Sequence, residues 1–485
     1  MRYYRHIIFV LIGICICDIV HAQELHKICP ISLKSVKPSD TGSFVLTTSD
    51  YNAFQGKKIR YAPAMEIIDA DEPWPPRWFA LHPSDTASDL STSRSIILNA
   101  GVQGDKFLFF TVITLGGHMN NLAILMCNRD FQMTDTFCRR GKEIDSHDFR
   151  LTGNGDMMYF PVHDTIMDIR KLYKNNVDSA VRLIYETIAI DDSKGKNIFS
   201  WNPLVALGID AVCLPYRYAQ GVMAGKNVFD WSHANSIDYD YDGNILYSLK
   251  HIGIGKISRA DGHLIWHIDR NKQKINAASD AVPIFLQHDF NAVKDEQGNI
   301  SYTILSNGDD EHPECAAYQF TVNFDKEGLP VIKLIKKISP VDKVSNSGGG
   351  ANLDEEANGN YLMNYGLFKQ DTTLKQRPLF EYDDVKSSRR EEYTIEPDVF
   401  AYRVHRLHDW RPVRPVITEK GGKLIADSKT SAIKWYHLSG TDLHIVEYVG
   451  NGEKHAAKED GYYCVSVKYG IGWSVSRPFK FSKTK

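Results

Sequence analysis

The feature that most narrows the fold is a turn that keeps returning along the chain. Asn154-Gly155-Asp156, Asp242-Gly243-Asn244, Gln297-Gly298-Asn299 and Asn358-Gly359-Asn360 each precede a short β-prone run, such as Met157-Met158-Tyr159-Phe160 or Ile245-Leu246-Tyr247. A glycine beside a polar residue supplies the left-handed backbone that tight hairpins need. The four glycines are 88, 55 and 61 residues apart. A period near 55 to 60, made of short strands with few helix signals, fits a β-propeller blade. Residues 60 to 410 then hold about six blades, the first gap taking a further blade or an insertion. A jelly roll or two-sheet sandwich is the alternative, but it does not explain a hairpin at this period. One helix is expected around Asp164 to Lys174 as a decoration.

Histidines recur with the turn. His147 lies eight residues before Gly155, His233 ten before Gly243 and His288 ten before Gly298; the fourth copy has Gly349 to Ala351 there. If this strand is the innermost one, three imidazoles converge at the mouth of a central channel. The alternative is a structural histidine tied to an aspartate, as in His147-Asp148, His163-Asp164, His288-Asp289 or His408-Asp409.

The N-terminus reads as a leader. Arg2, Arg5 and His6 precede an apolar run, Ile7 to Cys17, too short to span a bilayer, and Val20-His21-Ala22 suits cleavage before Gln23. Residues 1–22 are therefore expected to be a signal peptide, giving an exported chain, periplasmic or secreted, with no membrane span in its mature part. A formal charge of −3 offers no polybasic face, so nucleic acid is not an expected partner. Cys29, Cys127, Cys138, Cys213, Cys315 and Cys464 contain no CxxC pair, which excludes a zinc ribbon. Cys127 and Cys138 flank an expected turn at Asn128-Arg129-Asp130, and either bridge adjacent strands or stay free thiols.

With these residues in view, the sequence resembles the bacterial arylsulfate sulfotransferase family. The likeness rests on Asp230-Trp231-Ser232-His233-Ala234-Asn235-Ser236-Ile237, on Asp242 to His251, on Ile257 to Trp266, on Phe285-Leu286-Gln287-His288-Asp289 and on Leu305-Ser306-Asn307-Gly308-Asp309. Asp145-Ser146-His147-Asp148-Phe149 is similar to an earlier blade. The resemblance implies a six-bladed propeller, often dimeric, exported to the periplasm. It implies transfer of a sulfuryl group from an aryl sulfate donor to a phenol acceptor, with neither a nucleotide sulfate donor nor another cofactor. His288 matches the transiently sulfated histidine, His147 and His233 match its supporting histidines, and Asn235 matches a supporting asparagine. The family arginine that contacts sulfate aligns with Lys250, with His251 beside it; the departure puts the strength of sulfate binding in question. Ser347 is a further candidate contact.

The residue types suit the chemistry. By analogy with phosphoryl transfer, a sulfate monoester passes through a loose transition state that needs a nucleophile, oxygen donors and an acid for the phenolate, and no metal. Neutral imidazole is a nucleophile near pH 7. His233 and Asn235, two apart on a strand, are expected to face one way, and Lys250 and His251 opposite ways. For Asn235 the alternative is a backbone hydrogen bond.

The domains are expected at 1–22 (leader), 23–60 (an N-terminal β segment with a turn at Pro38 to Gly42), 61–412 (the propeller) and 413–485. The last reads as an immunoglobulin-like β-sandwich, with Trp435 as core tryptophan and Tyr462, two before Cys464, as a tyrosine corner. It is either a docking module or a cap. Because the three histidines precede it, a chain ending near Arg414 is expected to fold and act. Two other functions stay open: a metal-dependent hydrolase or lyase, since three histidines can hold zinc, and a non-catalytic propeller that binds glycans or a partner.

Overall fold

The computed structural model describes residues 25–34, 42–50, 52, 59–81, 100–103, 106–115, 118–139, 143–170, 172, 180–212, 228–269, 277–340, 347–356, 358–368, 376–385, 389–407, 411–428, 430 and 432–483. The expected signal peptide, Cys213, His408-Asp409 and the turn at 38–41 lie outside them.

The chain is all-β and propeller-like. Five sheets, each built on four antiparallel strands, follow one another: Ala100–Gln103 to Met133–Phe137, Ile144–Leu151 to Asn197–Trp201, Ala234–Tyr239 to Leu264–Asp269, His288–Lys294 to Pro330–Ile338, and Asn352–Glu355 to Arg389–Ile395; the second also carries Val181–Glu186 and, parallel to it, Val228–Asp230. A sixth is assembled from both chain ends. Val399–Leu407 pairs with Ser43–Asp50, which pairs with Ala64–Asp69, and that with Trp78–Leu81. The N-terminal β segment is thus built into the sheets, its strand Ile31–Leu33 edging the fifth.

The recurring turn is the hairpin between the first two strands of the second to fifth sheets. Gly155, Gly243, Gly298 and Gly359 have φ of 82°, 83°, 88° and 89°. Each donates its N–H to the carbonyl three residues back, on Thr152, Asp240, Asp295 and Glu356. The twist of each hairpin leaves an apolar face, and the faces pair around a ring. Met126 and Phe149 pack between the first and second sheets, Trp231 and Tyr247 between the second and third, and Phe290 and Ile254 between the third and fourth. Leu305 and Met363 join fourth to fifth, Phe44 and Phe380 fifth to sixth, and Trp78 and Cys127 sixth to first. A fully buried aromatic removes about 150–250 Å² from water, at about 25 cal/mol per Å². These inter-sheet aromatics therefore hold the ring, rather than any core within one sheet.

One expectation is corrected and an open one is decided. Asp164 to Met167 is not helical but ends the strand Met157–Met167, paired with Val181–Glu186. β-branched Thr165 and Ile166 favour a strand, and Asp164 meets Arg182 across it at 2.7 Å. A short helix, Pro203–Leu207, occurs instead, capped by Asn202 with proline at its first position. Cys127 and Cys138 do flank a turn, but both are free thiols.

Beyond 412, two sheets enclose Trp435, Leu424, Tyr463 and Val465, and Cys464 is a buried free thiol. The corner-like hydrogen bond is made by Tyr463, whose hydroxyl donates to the Glu459 carbonyl at 3.0 Å; Tyr462 is exposed. The region is not a detached module. Gly472–Val475 pairs with Trp78–Leu81 and extends the sixth sheet, and Tyr436, Cys464 and Trp473 share a core with Leu25 and Phe79. Arg414 and Arg77 both grip the buried Asp69 carboxylate.

Candidate active site

His233 and His288 lie at the end of their first strands opposite the glycine turns, and His147 lies within the unpaired part of Ile144–Leu151, also away from its turn. Regular pairing fails there. His233 has φ of 46°, Leu286 50° and Asp289 59°, and the ladders slip between Ala234 and Ser236 and between His288 and Asn291. Left-handed backbone at a non-glycine residue costs roughly 1–2 kcal/mol. The strain re-aims side chains that strict alternation would turn elsewhere.

The His147 and His233 rings lie 4.8 Å apart and those of His233 and His251 5.1 Å apart. Each Nδ1 faces an oxygen acceptor: Asp145 Oδ1 at 2.6 Å for His147, Asp230 Oδ2 at 2.5 Å for His233, the Asp230 carbonyl at 2.8 Å for His251, and Asn307 Oδ1 at 2.7 Å for His288. Carbonyl and carboxylate oxygens only accept, so all four imidazoles carry their proton on Nδ1. In a neutral ring Nε2 is then the lone-pair nitrogen. None pairs with the aspartate next to it in sequence: Asp148 binds Arg150 and Arg403, and Asp289 binds Arg403.

Burial holds His233, His251 and His288 neutral. His288 and His233 fall well below the usual imidazole range, through burial first and then the Lys250 charge, and His251 falls to about 3 for the same first reason. Burial lowers the Lys250 ammonium to about 8, against the pull of Asp230. The Lys250 charge is felt at His233, His288 and Asp230, so it sits among them.

Lys250 and His251 are not neighbours on a strand, as expected, but occupy the turn after Ile245–Leu249. Their amides donate to the carbonyls of His233 and Ser232 at 3.0 and 3.4 Å, which holds the turn against the His233 corner. Both therefore reach the cluster. Asn235 is fully buried; its amide donates to the Gln287 carbonyl at 2.6 Å, the backbone role, and its Oδ1 has no hydrogen-bond partner among the described residues. Ser347 lies in the strand Ser347–Gly349, and its side chain is outside the described ones.

Sequence reasoning missed the contribution of the sixth sheet. Tyr402 lies against His147 and His288 with centroids at 5.7 and 6.3 Å, and its buried hydroxyl has no hydrogen-bond partner among the described residues. Gly350 makes room for it: a Cβ there would meet Tyr402 Cδ2 at 3.1 Å. The vacant fourth repeat position thus houses a ring from another strand. Next to it, buried Arg403 reaches Asp148, Asp289 and the Asn235 carbonyl, tying three first strands together. Asp145, Asp230 and Asn307 lay inside the recognised segments, and the signal that finds them is a hydrogen-bonding oxygen within a few residues of a repeat position. Tyr402 left no local signal.

At the other end of the first strands, a cleft lined by Glu296, Asp354, Glu355, Glu356 and Arg406 is mainly acidic and repels a sulfate ester. Among the described residues, Asp230, His233 and His251 bring one metal-ligating atom each to within 4.8 Å of one another.

Residues 120–326 match the arylsulfotransferase family, a span that holds the four histidines, Asn235 and Lys250. The match, over less than half of the chain, supports the arylsulfate sulfotransferase family and a sulfotransferase enzyme. No curated protein matches the chain. Among solved structures the chain is similar to the WD40 β-propeller domain of Doa1, at 8% identity over 76% of this chain and 97% of that one, TM-score 0.29. It is also similar to a glucose dehydrogenase, at 9% identity over 76% and 99%, TM-score 0.30. A third is the exo-beta-1,3-galactanase from Phanerochaete chrysosporium, at 9% over 78% and 94%, TM-score 0.29.

Proposed function

We propose that the chain is an exported aryl-sulfate sulfotransferase that carries the sulfuryl group on His288, between a phenolic sulfate donor and a phenol. The observation that carries this reading is the buried, neutral His288 imidazole. Its Nδ1–H is fixed on Asn307 and its Nε2 is left as nucleophile, inside the segment that matches the family. Nε2 attacks sulfur, the sulfur–aryloxy bond breaks, and the phenolate leaves. His147, which forms an ion pair with Asp145 when both its nitrogens carry protons, is in that form the group suited to hand the phenolate its Nε2 proton, and once neutral to take one from the acceptor. His233 is kept neutral and flanks the exchange. The Lys250 ammonium, mostly charged at neutral pH, offsets the charge on the sulfuryl oxygens. A second phenol then cleaves the N–S bond, so no nucleotide donor is consumed.

The supporting architecture is a six-bladed propeller closed by Val399–Leu407, since six sheets meet side to side through six apolar cores. The C-terminal two-sheet region is assigned as an immunoglobulin-like cap, the N-terminal 22 residues as the leader to the periplasm, and a homodimer as the assembly. The test is a mass measurement. Aryl sulfate without acceptor should add one sulfuryl group to the peptide containing His288, and a phenol should remove it as the new ester appears. Turnover with no labelled histidine overturns the mechanism.

A further inference from the structure

The donor set beside Lys250 has a second chemistry. Asp230 ends the strand Val228–Asp230, His233 sits at its left-handed corner, and His251 sits in the turn after Ile245–Leu249. Three separate backbone points thus bring one carboxylate and two imidazoles within 4.8 Å of one another. Backbone hydrogen bonds from residues 250 and 251 to residues 232 and 233 fix the spacing. The His251 Nδ1–H is spent on the Asp230 carbonyl, the kind of outer contact that orients a metal-ligating histidine and leaves Nε2 for the ion.

Charge favours a cation there. Asp230 lies among other carboxylates. Buried Glu186 accepts from the Ser232 hydroxyl at 2.6 Å and from the Ala234 amide at 3.0 Å. The cluster thus sets Asp145, Glu186 and Asp230 against one cation, Lys250, with His147 and His233 between them. Two nitrogens and one oxygen are borderline ligands. They suit zinc rather than magnesium or calcium, which take oxygen cages.

We propose that Asp230, His233 and His251 bind one zinc ion, with the fourth position open. Zinc bonds of about 2.0–2.2 Å place tetrahedral ligands within about 3.5 Å of each other, so closure of the cluster by roughly an ångström suffices. The site does not depend on the transfer reaction, and its test reads binding alone.

The full chain, stripped with chelator and dialysed, is titrated with zinc chloride by calorimetry, with bound metal counted by elemental analysis. Cobalt(II) serves as a spectroscopic reporter through its visible d–d absorption. One equivalent is expected, with tetrahedral cobalt bands. His251→Gln and Asp230→Asn should each weaken binding at least roughly tenfold and dim those bands. Lys250→Ala, which removes the competing charge, should tighten it. Uptake well below one equivalent overturns the site. So does equal uptake by wild type, His251→Gln and Asp230→Asn, with thermal melts confirming that the variants fold.

Discussion

The sheet over 234–269 and the sheet that closes the ring have the same four antiparallel strands but are put together differently. The first is a continuous meander whose strands follow one another within 36 residues, with Gly243 reversing its first hairpin. The closing sheet takes its first strand from Val399–Leu407 and the rest from residues 43–81, and has no such turn between its first two strands. Local sheets can each carry a side chain at one repeat position. The non-local sheet breaks that pattern and supplies Tyr402 and Arg403, which complete and brace what the others present. In the proposed mechanism, chemistry comes from the repeated sheets and rigidity from the closing one.

The sharpest test of that division is His288. His288→Asn should abolish both sulfuryl labelling and transfer, a fall of at least about three powers of ten for loss of the nucleophile. Labelling that persists in His288→Asn moves the nucleophile to another repeat histidine. Rate assays and peptide masses are read together.

The closing sheet should fail differently, through the fold. A chain ending at Arg414 loses Gly472–Val475 from the edge of Trp78–Leu81 and removes Tyr436, Leu438, Cys464 and Trp473 from a shared core. It should be insoluble, or melt far below the full chain, rather than be a folded enzyme without a tail. A monodisperse, active truncation would show that the pairing at 78–81 contributes little.

These two outcomes bear on what the sequence could reveal. The glycine turns were readable because each hairpin is encoded within a few residues, and the three histidines because they sit at a fixed offset from those turns. The closing sheet joins residues 43–50 to 399–407, a pairing with no local signature, so Tyr402 stayed hidden and the C-terminal region looked detachable. Strand alternation also misled. It separates Lys250 from His251, which a turn brings to one side, and it aligns Asn235 with His233 although left-handed backbone at His233 and a ladder slip intervene. The supposed helix at 164–174 failed for a related reason: its stabilising partner, Arg182, lies on the next strand.

A smaller effect follows from the strand Ala64–Asp69. Asp69 has Arg77 and Arg414, which hold its carboxyl below the usual range despite burial, whereas Glu66, fully buried, has only the Thr48 hydroxyl at 2.6 Å. Burial raises Glu66 to about 8. Because the folded value lies above the unfolded one, the folded state binds the proton more tightly. Its stability is full below about pH 4.5 and declines as pH rises towards 8. The difference corresponds to about 5 kcal/mol at most. Glu66→Gln keeps an acceptor for Thr48 and removes the titration. It should match wild type near pH 4 and exceed it by several kcal/mol at pH 9 in denaturant melts. Parallel stability curves would show Glu66 ionised throughout.

Within the repeated sheets, Lys250→Ala should lower aryl-sulfate turnover at least roughly tenfold, about 1.4 kcal/mol, while Lys250→Arg retains it. An arginine keeps the charge and adds a fork for two sulfuryl oxygens. His251→Ala measured alongside separates the two turn residues. A silent Lys250→Ala with a crippled His251→Ala would assign the sulfate contact to the imidazole.

The smallest effect on turnover is expected at the turns, where the comparison can be made within one type of sheet. Gly243 and Gly359 occupy the same hairpin with φ of 83° and 89°, and an added Cβ meets no atom within 4 Å at either. Alanine at each therefore carries only the left-handed backbone strain, about 1–2 kcal/mol. One glycine turns a strand that begins beside His233; the other turns a strand that begins beside the vacant Gly349–Ala351 position. If the hairpin end serves the fold alone, Gly243→Ala and Gly359→Ala should lower the melting temperature equally and leave kcat unchanged. A kcat loss confined to Gly243→Ala would mean that the turn also sets the His233 corner six residues or more away along Ala234–Tyr239. Strain at one end of a first strand would then be felt at the other.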